Sequence, residues 1–271
     1  MLDSDRQENW DGGMNLAAEL EILFQKDAVG KKADVCVSVT CFKYGKEAIE
    51  ALSSILAQTE PVLDLVIVDD CSPDDSAATM EEWLKQNSAN TKFANVLLVR
   101  HLVNRGLSQS RNTALTLART PYMFILDADN QIYPRAIEVL RQAVEFSGYA
   151  MAYSLAEKFG DESTIFNNSL WLPDKFSHGN YIDAMTLIRT DVLRQLGGYR
   201  IMPNNFGWED YDLWCSFVDY GFKGCHVPQI LCRYRVHRNS MIRTVTNRFF
   251  STDAKRVRDD FKAHHKIDFL F

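Results

Sequence analysis

Two aspartates separated by one residue end the segment Tyr122–Asp129, whose sequence YMFILDAD begins with five strand-like apolar residues. Residues i and i+2 of an extended chain point to the same side, so the carboxylates of Asp127 and Asp129 can converge on one cation. Two carboxylates this close repel each other unless a positive charge lies between them or one of them is protonated. Carboxylate oxygens favour Mg2+ or Mn2+. The alternative is a strand followed by an acidic turn, because Asp-x-Asp is common in loops.

Strand-like and helical patterns alternate around this segment. The strands are predicted at 35–39, 65–68, 96–99 and 122–126, and the helices at 46–58, around 80–84, at 107–118 and at 134–146. Continuous apolar runs such as Leu65–Val68 are typical of strands buried on both sides of a parallel sheet. The alternation predicts an open, mostly parallel α/β sheet flanked by helices and joined by right-handed crossovers.

The second half of the chain has a looser pattern, with more aromatic residues. It predicts strands at 181–188 and 230–236 and helices at 191–196 and 209–220. We expect this second half of the chain to form one wall of a cleft over the edge of the sheet.

Composition limits the class of protein. The chain has 271 residues, of which 46% are hydrophobic. Its net charge of −6 argues against a nucleic-acid partner, because such a protein needs a stripe of basic residues to neutralise phosphates. The six cysteines include no Cys-x-x-Cys pair, so we expect buried free thiols. No apolar stretch reaches the roughly 20 residues that cross a bilayer, and the acidic amino terminus lacks the pattern of a signal peptide. We therefore expect a cytoplasmic protein without a transmembrane segment.

Polar residues follow each of the four predicted parallel strands. These segments are 40–44, 69–72, 104–111 and 127–129. In open α/β sheets, ligands bind beyond the carboxyl ends of the strands. Four polar strand ends facing one crevice therefore predict a binding site at that edge.

The motifs VSVTCF, LVIVDDCS, NRGLSQSRN, LDAD and WEDYD, taken in this order, resemble glycosyltransferase family 2 over roughly Asp34 to Met241. This resemblance implies the GT-A fold and an inverting transfer of a sugar from a nucleotide-sugar donor, expected to be UDP-linked. It also implies Mn2+ or Mg2+ at the Asp-x-Asp (DXD) motif. The acceptor would be a hydroxyl group on a saccharide, a lipid-linked glycan, a protein or a small molecule.

The resemblance divides the chain into four parts. They are an N-terminal extension with a weak helical pattern (1–32), a nucleotide-sugar-binding α/β half (33–153), an acceptor-side half of the same domain (154–245) and a C-terminal helical tail (246–271).

The resemblance also assigns residues to the nucleotide. Thr40 and Phe42 would lie beside the base, with Phe42 as a stacking surface. Asp70 would accept a hydrogen bond from the uracil imide, whereas its neighbour Asp69 points to the other face and would cap the following turn. Arg111, preceded by Arg105, would approach the nucleotide and the diphosphate.

Three residues are assigned to the metal. Asp129 would hold the cation, Asp127 would contact the ribose or a metal-bound water, and His237 matches a histidine that completes the metal shell in some members. His237 could instead be an ordinary surface residue. Arg111 could instead form a structural ion pair with Asp70 or Asp127.

The Glu209–Asp210 pair matches the family's catalytic acids. Asp210, walled by Trp208, Phe206 and Tyr211, should be partly desolvated, which raises its proton affinity and suits a general base. Glu209 could orient the acceptor. A helix start with acids favoured by the helix dipole is the alternative.

Two other functions compete with this hypothesis. One is a non-catalytic or partner-dependent sugar-nucleotide-binding domain of a larger synthase. The other is a nucleotidyltransferase, which would need a Gly-rich loop after the first strand, where this chain has Thr-Cys-Phe-Lys-Tyr. The basic residues at 255–258 and 262–266 leave open a peripheral contact with the inner face of the membrane, although a solvated helix face also explains them.

Overall fold

The computed structural model describes residues 19–87, 89, 92–202, 207–238, 240, 244 and 247–270. Its strands are β1 (Leu20–Asp27), β2 (Val35–Cys41), β3 (Leu63–Asp69), β4 (Phe93–His101), β5 (Tyr122–Asp127), β6 (Gln131–Ile132), β7 (Met151–Gly160), β8 (Ile165–Phe166), β9 (Thr186–Arg189) and β10 (Gly224–Val236). Its α-helices are α1 (Gly45–Leu56), α2 (Ser76–Asn87), α3 (Leu107–Leu117), α4 (Ala136–Ser147), α5 (Thr190–Gln195), α6 (Glu209–Asp219) and α7 (Asn247–His264), and Pro173–His178 is a 3-10 helix.

The strands of the described residues form one sheet in the order β1-β4-β3-β2-β5-β9-β7-β10-β6, with β8 paired to β7. Its centre, β4-β3-β2-β5, is parallel, which confirms the predicted α/β architecture. Every residue of β2 and β3 is buried, because helices cover both faces. Alternate residues of β2 serve two cores: Val37 belongs to the cluster of Leu52 in α1, and Cys36 to the cluster of Leu115 in α3.

Residues 20–27 form a strand, so the helical pattern predicted within the N-terminal extension is wrong for this segment. β1 pairs antiparallel with β4 and lies at the edge of the sheet. A register shift between Ile22 and Phe24 breaks the alternation of inward and outward side chains along β1, so the sequence pattern does not predict a strand here. Residues 1–18 lie outside the described residues.

Two strand boundaries in the second half differ from the prediction. β9 begins at Thr186 rather than at 181, and the preceding residues form a loop. β10 begins at Gly224 rather than at 230. Its register against β7 shifts between Val227 and Ile230, so the apolar alternation that marks a strand is interrupted there. Because β9, β7 and β10 join the sheet beyond β5, both halves of the chain share one sheet.

The cysteines and helices agree with the compositional expectations. All six cysteines are free thiols, four of them buried, as predicted. Among the described ranges no helix has both the length and the apolar character needed to cross a membrane. α7 lies within the predicted helical tail.

Candidate active site

The carboxyl ends of the parallel strands meet at one edge of the sheet. Thr40 on β2 lies opposite Asp127 on β5, and the Asp70 backbone N–H donates to the Cys41 carbonyl over 2.9 Å. The Ala128 N–H donates to the Thr40 carbonyl over 3.1 Å, which ties the Asp-x-Asp turn to β2. This edge therefore brings together the polar strand ends that the sequence placed there.

Arg111 connects this edge to α6. Its side chain is 1% exposed, and it donates from Nη2 to Asp127 Oδ1 over 2.8 Å and from Nη1 to Glu209 Oε1 over 2.5 Å. Burial lowers the pKa of the guanidinium, but the two carboxylates outweigh that effect and raise its pKa above the ordinary value. The ion pair with Asp127, which the sequence left open as the alternative role of Arg111, is present. The predicted approach of Arg111 to the nucleotide and the diphosphate stays a prediction. The pairing with Glu209 was missed because the residues are far apart in sequence.

Asp129 lies beside His237, which follows β10. His237 Nε2 is 3.2 Å from Asp129 Oδ2, and both side chains are largely buried. Burial and the charge of Asp127 raise the pKa of Asp129 to about 6, although His237 opposes the rise. Arg235 fixes the turn by donating from Nε to the Asp129 carbonyl over 2.8 Å. The structure thus places His237, distant in sequence, against the Asp-x-Asp motif.

These residues can be compared with the needs of a divalent cation. In the described part of the chain, no group of three or more His, Cys, Asp or Glu is preassembled as a metal cluster. Asp129 and His237 nevertheless present an oxygen and a nitrogen side by side, and the hydrogen bonds described for Asp127 use only Oδ1. Burial is the larger cause of the raised pKa of Asp129, and the charge of Asp127 is the second; a cation would relieve this second, repulsive contribution. This donor set fits a hard cation that takes further ligands from a phosphate and water.

Asp210 lies at the start of α6, next to Glu209. Its Oδ2 accepts a hydrogen bond from Asn180 Nδ2 over 2.9 Å, and its Oδ1 accepts one from the Tyr211 N–H over 2.7 Å. Burial and then the charge of Glu209 raise the pKa of Asp210 to about 8, in the direction expected of a desolvated carboxylate. Glu209 itself is buried against Arg111. Phe206, expected to wall Asp210, lies outside the described residues.

Asp183 is a further acid of this site that the sequence did not single out. Burial, followed by the charge of Asp127, raises its pKa to about 7, and its own charge raises the pKa of Asp210. Asp183 fell inside a segment predicted to be a strand, where one acid among apolar residues carries no signal. Asp183 reaches the site because the pairing of β9 with β5 brings the loop before β9 beside the end of β5.

Asp70 is already engaged by the protein. Its Oδ1 accepts from the Arg105 N–H over 2.8 Å and lies 2.7 Å from His101 Nδ1, while Oδ2 accepts from the Gly106 N–H over 2.8 Å. The side chain is 6% exposed. Asp70 therefore organises the loop that begins α3, and its hydrogen bond to a nucleotide base stays a prediction.

The other predicted nucleotide contacts differ in their surroundings. Phe42 is 37% exposed at the end of β2, so its ring is available for stacking. Thr40 is nearly buried, with Oγ1 at 3.4 Å from Asp127 Oδ1. Arg105 turns its guanidinium to Glu19, at 3.0 Å, so a phosphate contact would require this pair to open. Asp69 accepts a hydrogen bond from the Ser72 N–H over 3.0 Å, which confirms the expected cap of the turn.

Comparisons with known proteins bear on this site. The family model described as "Glycosyl transferase family 2" matches residues 36–204. A relative in Escherichia coli, "UDP-Glc:alpha-D-GlcNAc-diphosphoundecaprenol beta-1,3-glucosyltransferase WfaP", is 24% identical over 238 residues, which cover 87% of this chain and 91% of that protein.

Two solved structures are similar in fold. S. aureus TarS 1-349 in complex with UDP-GlcNAc matches with a TM-score of 0.65 and 14% identity, over 78% of this chain and 61% of that chain. Mannosyltransferase PcManGT from Pyrobaculum calidifontis, in complex with GDP-Man and Mn2+, matches with a TM-score of 0.58 and 18% identity, over 92% of this chain and 71% of that chain. At these identities the likeness shows the fold alone.

Proposed function

Because the chain belongs to glycosyltransferase family 2 and has the GT-A fold, we propose that it transfers a sugar from a UDP-sugar to an acceptor hydroxyl. The transfer inverts the anomeric centre and requires a divalent cation, Mn2+ or Mg2+. The family match favours this function over the nucleotidyltransferase alternative. The intact acids of the site favour it over a non-catalytic binding domain.

One observation carries the proposal. Arg111 pairs with Asp127 at the Asp-x-Asp motif and with Glu209 at the start of α6, next to Asp210. One residue proposed for the diphosphate end, Asp127, and one proposed for the acceptor end, Glu209, therefore share the same buried arginine. A transferase needs this arrangement, because both groups must be held close to the same anomeric carbon.

The diphosphate end of the donor would lie against Asp127, Asp129 and His237. These residues would hold the cation, which neutralises negative charge on the departing nucleoside diphosphate. Phe42 would offer its exposed ring to the base, and Thr40 would border it. Donors named for related proteins support a nucleotide-sugar: TarS is solved with UDP-GlcNAc, and WfaP is named for UDP-Glc.

Asp210 would act as the general base. Its raised pKa makes it a stronger proton acceptor than an exposed aspartate, and Asn180 and the Tyr211 N–H fix its orientation. As the acceptor oxygen forms its bond to the anomeric carbon, Asp210 takes the hydroxyl proton and the bond to the diphosphate breaks. Attack from the face opposite the diphosphate inverts the centre. Glu209 would act through Arg111, which it contacts directly.

The acceptor is proposed to be a saccharide, including one carried on a lipid diphosphate. The name of WfaP, a relative along most of this chain, specifies such a lipid-linked acceptor. An enzyme with this substrate would work at the membrane surface, and the basic residues of α7 would then face anionic headgroups.

Calorimetry with nucleoside diphosphates tests the donor side. We expect UDP to bind in the presence of Mn2+ and to bind at least tenfold more weakly after chelation, or in Asp129→Ala. GDP in place of UDP is the matched comparison. If UDP does not bind with Mn2+ present, the proposed function is wrong, whether or not GDP binds.

A further inference from the structure

Asp183 lies near the same acids, in the loop that precedes β9. β9 pairs antiparallel with β5, with Leu187 opposite Phe124, so the residues just before β9 run along the carboxyl end of β5. The charges of Asp127 and Asp129 act on Asp183, and the charge of Asp183 acts on Asp210. Asp183 is therefore close to both the metal motif and the base.

Hydrogen bonds with neighbouring residues position Asp183. Oδ1 accepts a hydrogen bond from the Met185 N–H over 3.0 Å, and the Asp183 N–H donates to Asn167 Oδ1 over 2.9 Å. From the residues that the structure describes, no hydrogen bond reaches Oδ2. A fixed, partly buried carboxylate with an uncommitted oxygen is suited to accept a hydrogen bond from a ligand.

The reaction places a ligand group at this position. The anomeric carbon is bonded to the diphosphate, which lies at Asp127 and Asp129, and it is attacked by the hydroxyl that Asp210 deprotonates. The transferred ring must therefore lie between these two ends. Asp183 interacts electrostatically with the acids proposed for both ends, so the proposed function places the ring beside it.

We propose that Asp183 accepts a hydrogen bond from a hydroxyl group of the transferred sugar and thereby selects the donor. This inference rests on the proposed function. A site built to bond a hydroxyl discriminates strongly against a sugar that lacks it or presents it on the other face, because a partly buried acceptor is then left unpaired. We therefore expect the protein to use hexose donors in which one specific hydroxyl group is free to donate a hydrogen bond to Asp183.

The test combines a variant with altered donors. For wild type, Asp183→Asn and Asp183→Ala, kcat/KM is measured with epimeric UDP-hexoses, and then with the 3-, 4- and 6-deoxy forms of the preferred donor. We expect one deoxy donor to lose at least about tenfold in wild type and little further in Asp183→Ala. UDP affinity with Mn2+ should change less than about twofold in either variant, since the proposal places Asp183 beside the sugar and not beside the nucleotide.

Asp191→Asn is the matched control. Asp191 is 62% exposed in α5, which follows β9 and lies beyond the opposite end of β5. We expect it to leave donor preference unchanged.

The outcomes separate this inference from the proposed function. If UDP fails to bind wild type, the proposed function is wrong, and the inference, which depends on it, is wrong as well. If UDP binds and sugar is transferred, but the variants weaken all donors equally or no deletion of a hydroxyl is coupled to Asp183, only the inference is overturned. If neither variant folds, the deoxy series on wild type decides, because a profile without any loss of about tenfold contradicts a hydroxyl contact.

Discussion

At the scale of single residues, Arg111 is a buried cation held between two acids. Replacing it with methionine would leave Glu209 and Asp127 unpaired inside the protein. We expect Arg111→Met to lower the free energy of unfolding by roughly 3–5 kcal/mol, the usual cost of breaking a buried pair. Urea denaturation measures this change.

Arg189→Met provides the comparison for that substitution. Arg189 is 43% exposed and pairs with Asp191 at the surface, where an ion pair contributes at most about 1 kcal/mol. Equal losses in the two variants would contradict the structural importance assigned to Arg111.

Asp210 gives a prediction about rate. Asp210→Asn removes the proton acceptor but keeps the size of the side chain, so we expect kcat to fall by about 10²–10⁴-fold. UDP affinity with Mn2+ should not change. Initial rates at saturating donor measure the effect, and an unchanged rate would remove Asp210 from the role of base.

The raised pKa of Asp210 sets a pH dependence. Only the ionised carboxylate accepts a proton, so kcat/KM of the wild type should rise with pH until it levels above about 8. The effect on stability has the opposite sign. Because the folded pKa of about 8 exceeds the ordinary 3.8, the folded protein holds a proton that the unfolded chain releases, and stability falls as pH rises between these values. Asp210→Asn should lose less stability than wild type across that range.

At the scale of elements, the join between β7 and β10 positions His237. Gly160 ends β7 opposite Val236, the last residue of β10. Its φ is +95°, and a Cβ there would lie 2.6 Å from the Val236 carbonyl oxygen. The close approach of the two strands thus requires glycine, and it fixes where the chain emerges next to Asp129.

Gly160→Ala tests this join. We expect it to lower the melting temperature and to weaken Mn2+-dependent UDP binding, because Val236 must move and His237 follows it directly. Gly148→Ala is the matched control, since Gly148 has φ +68° but nothing within 4 Å of an added Cβ. The control should lose only about 1–2 kcal/mol of stability from backbone strain and keep its UDP affinity. Similar UDP affinities in both variants would contradict the positioning argument.

At the scale of the whole molecule, a buried ion network joins the carboxyl-terminal region to α6. His265, which follows α7, lies 2.9 Å from Asp212 and 2.8 Å from Asp219. Arg200 pairs with Asp212 at 2.6 Å and with Asp260 of α7 at 2.8 Å. Two other parts of the chain, the segment at Arg200 and the carboxyl-terminal region with Asp260 and His265, therefore anchor α6, which carries the proposed base in its first turn.

His265→Gln tests the contribution of this network. Burial lowers the pKa of His265, but the hydrogen bonds and charges of Asp212 and Asp219 outweigh it and raise the pKa above 6.5. A raised histidine pKa stabilises the fold fully below the unfolded value, and that stabilisation is lost as pH rises through the folded pKa. We therefore expect His265→Gln to be more destabilising at about pH 6 than at about pH 9, as measured by thermal unfolding. A loss independent of pH would mean that the imidazole is neutral in the folded protein.

The local features of this protein were determined by the sequence. The parallel centre was predictable because strands buried on both faces must be continuously apolar, as Leu65–Val68 is. The Asp-x-Asp turn was predictable because its chemistry depends on neighbours in the chain, whereas the Glu209–Asp210 pair was singled out by the resemblance to the family. The strand at 20–27 was not, since its bulge disrupts the period and its pairing with β4 is a long-range contact.

The joining of these parts was decided only by tertiary structure. Arg111 meets Glu209 from 98 positions away, and His237 meets Asp129 from 108. Asp183 reaches the site only because β9 runs antiparallel to β5. Local patterns report burial and turns, whereas the partners of a buried charge depend on which strands the fold brings side by side. Electrostatic energy depends on distance in space, and sequence separation does not encode that distance.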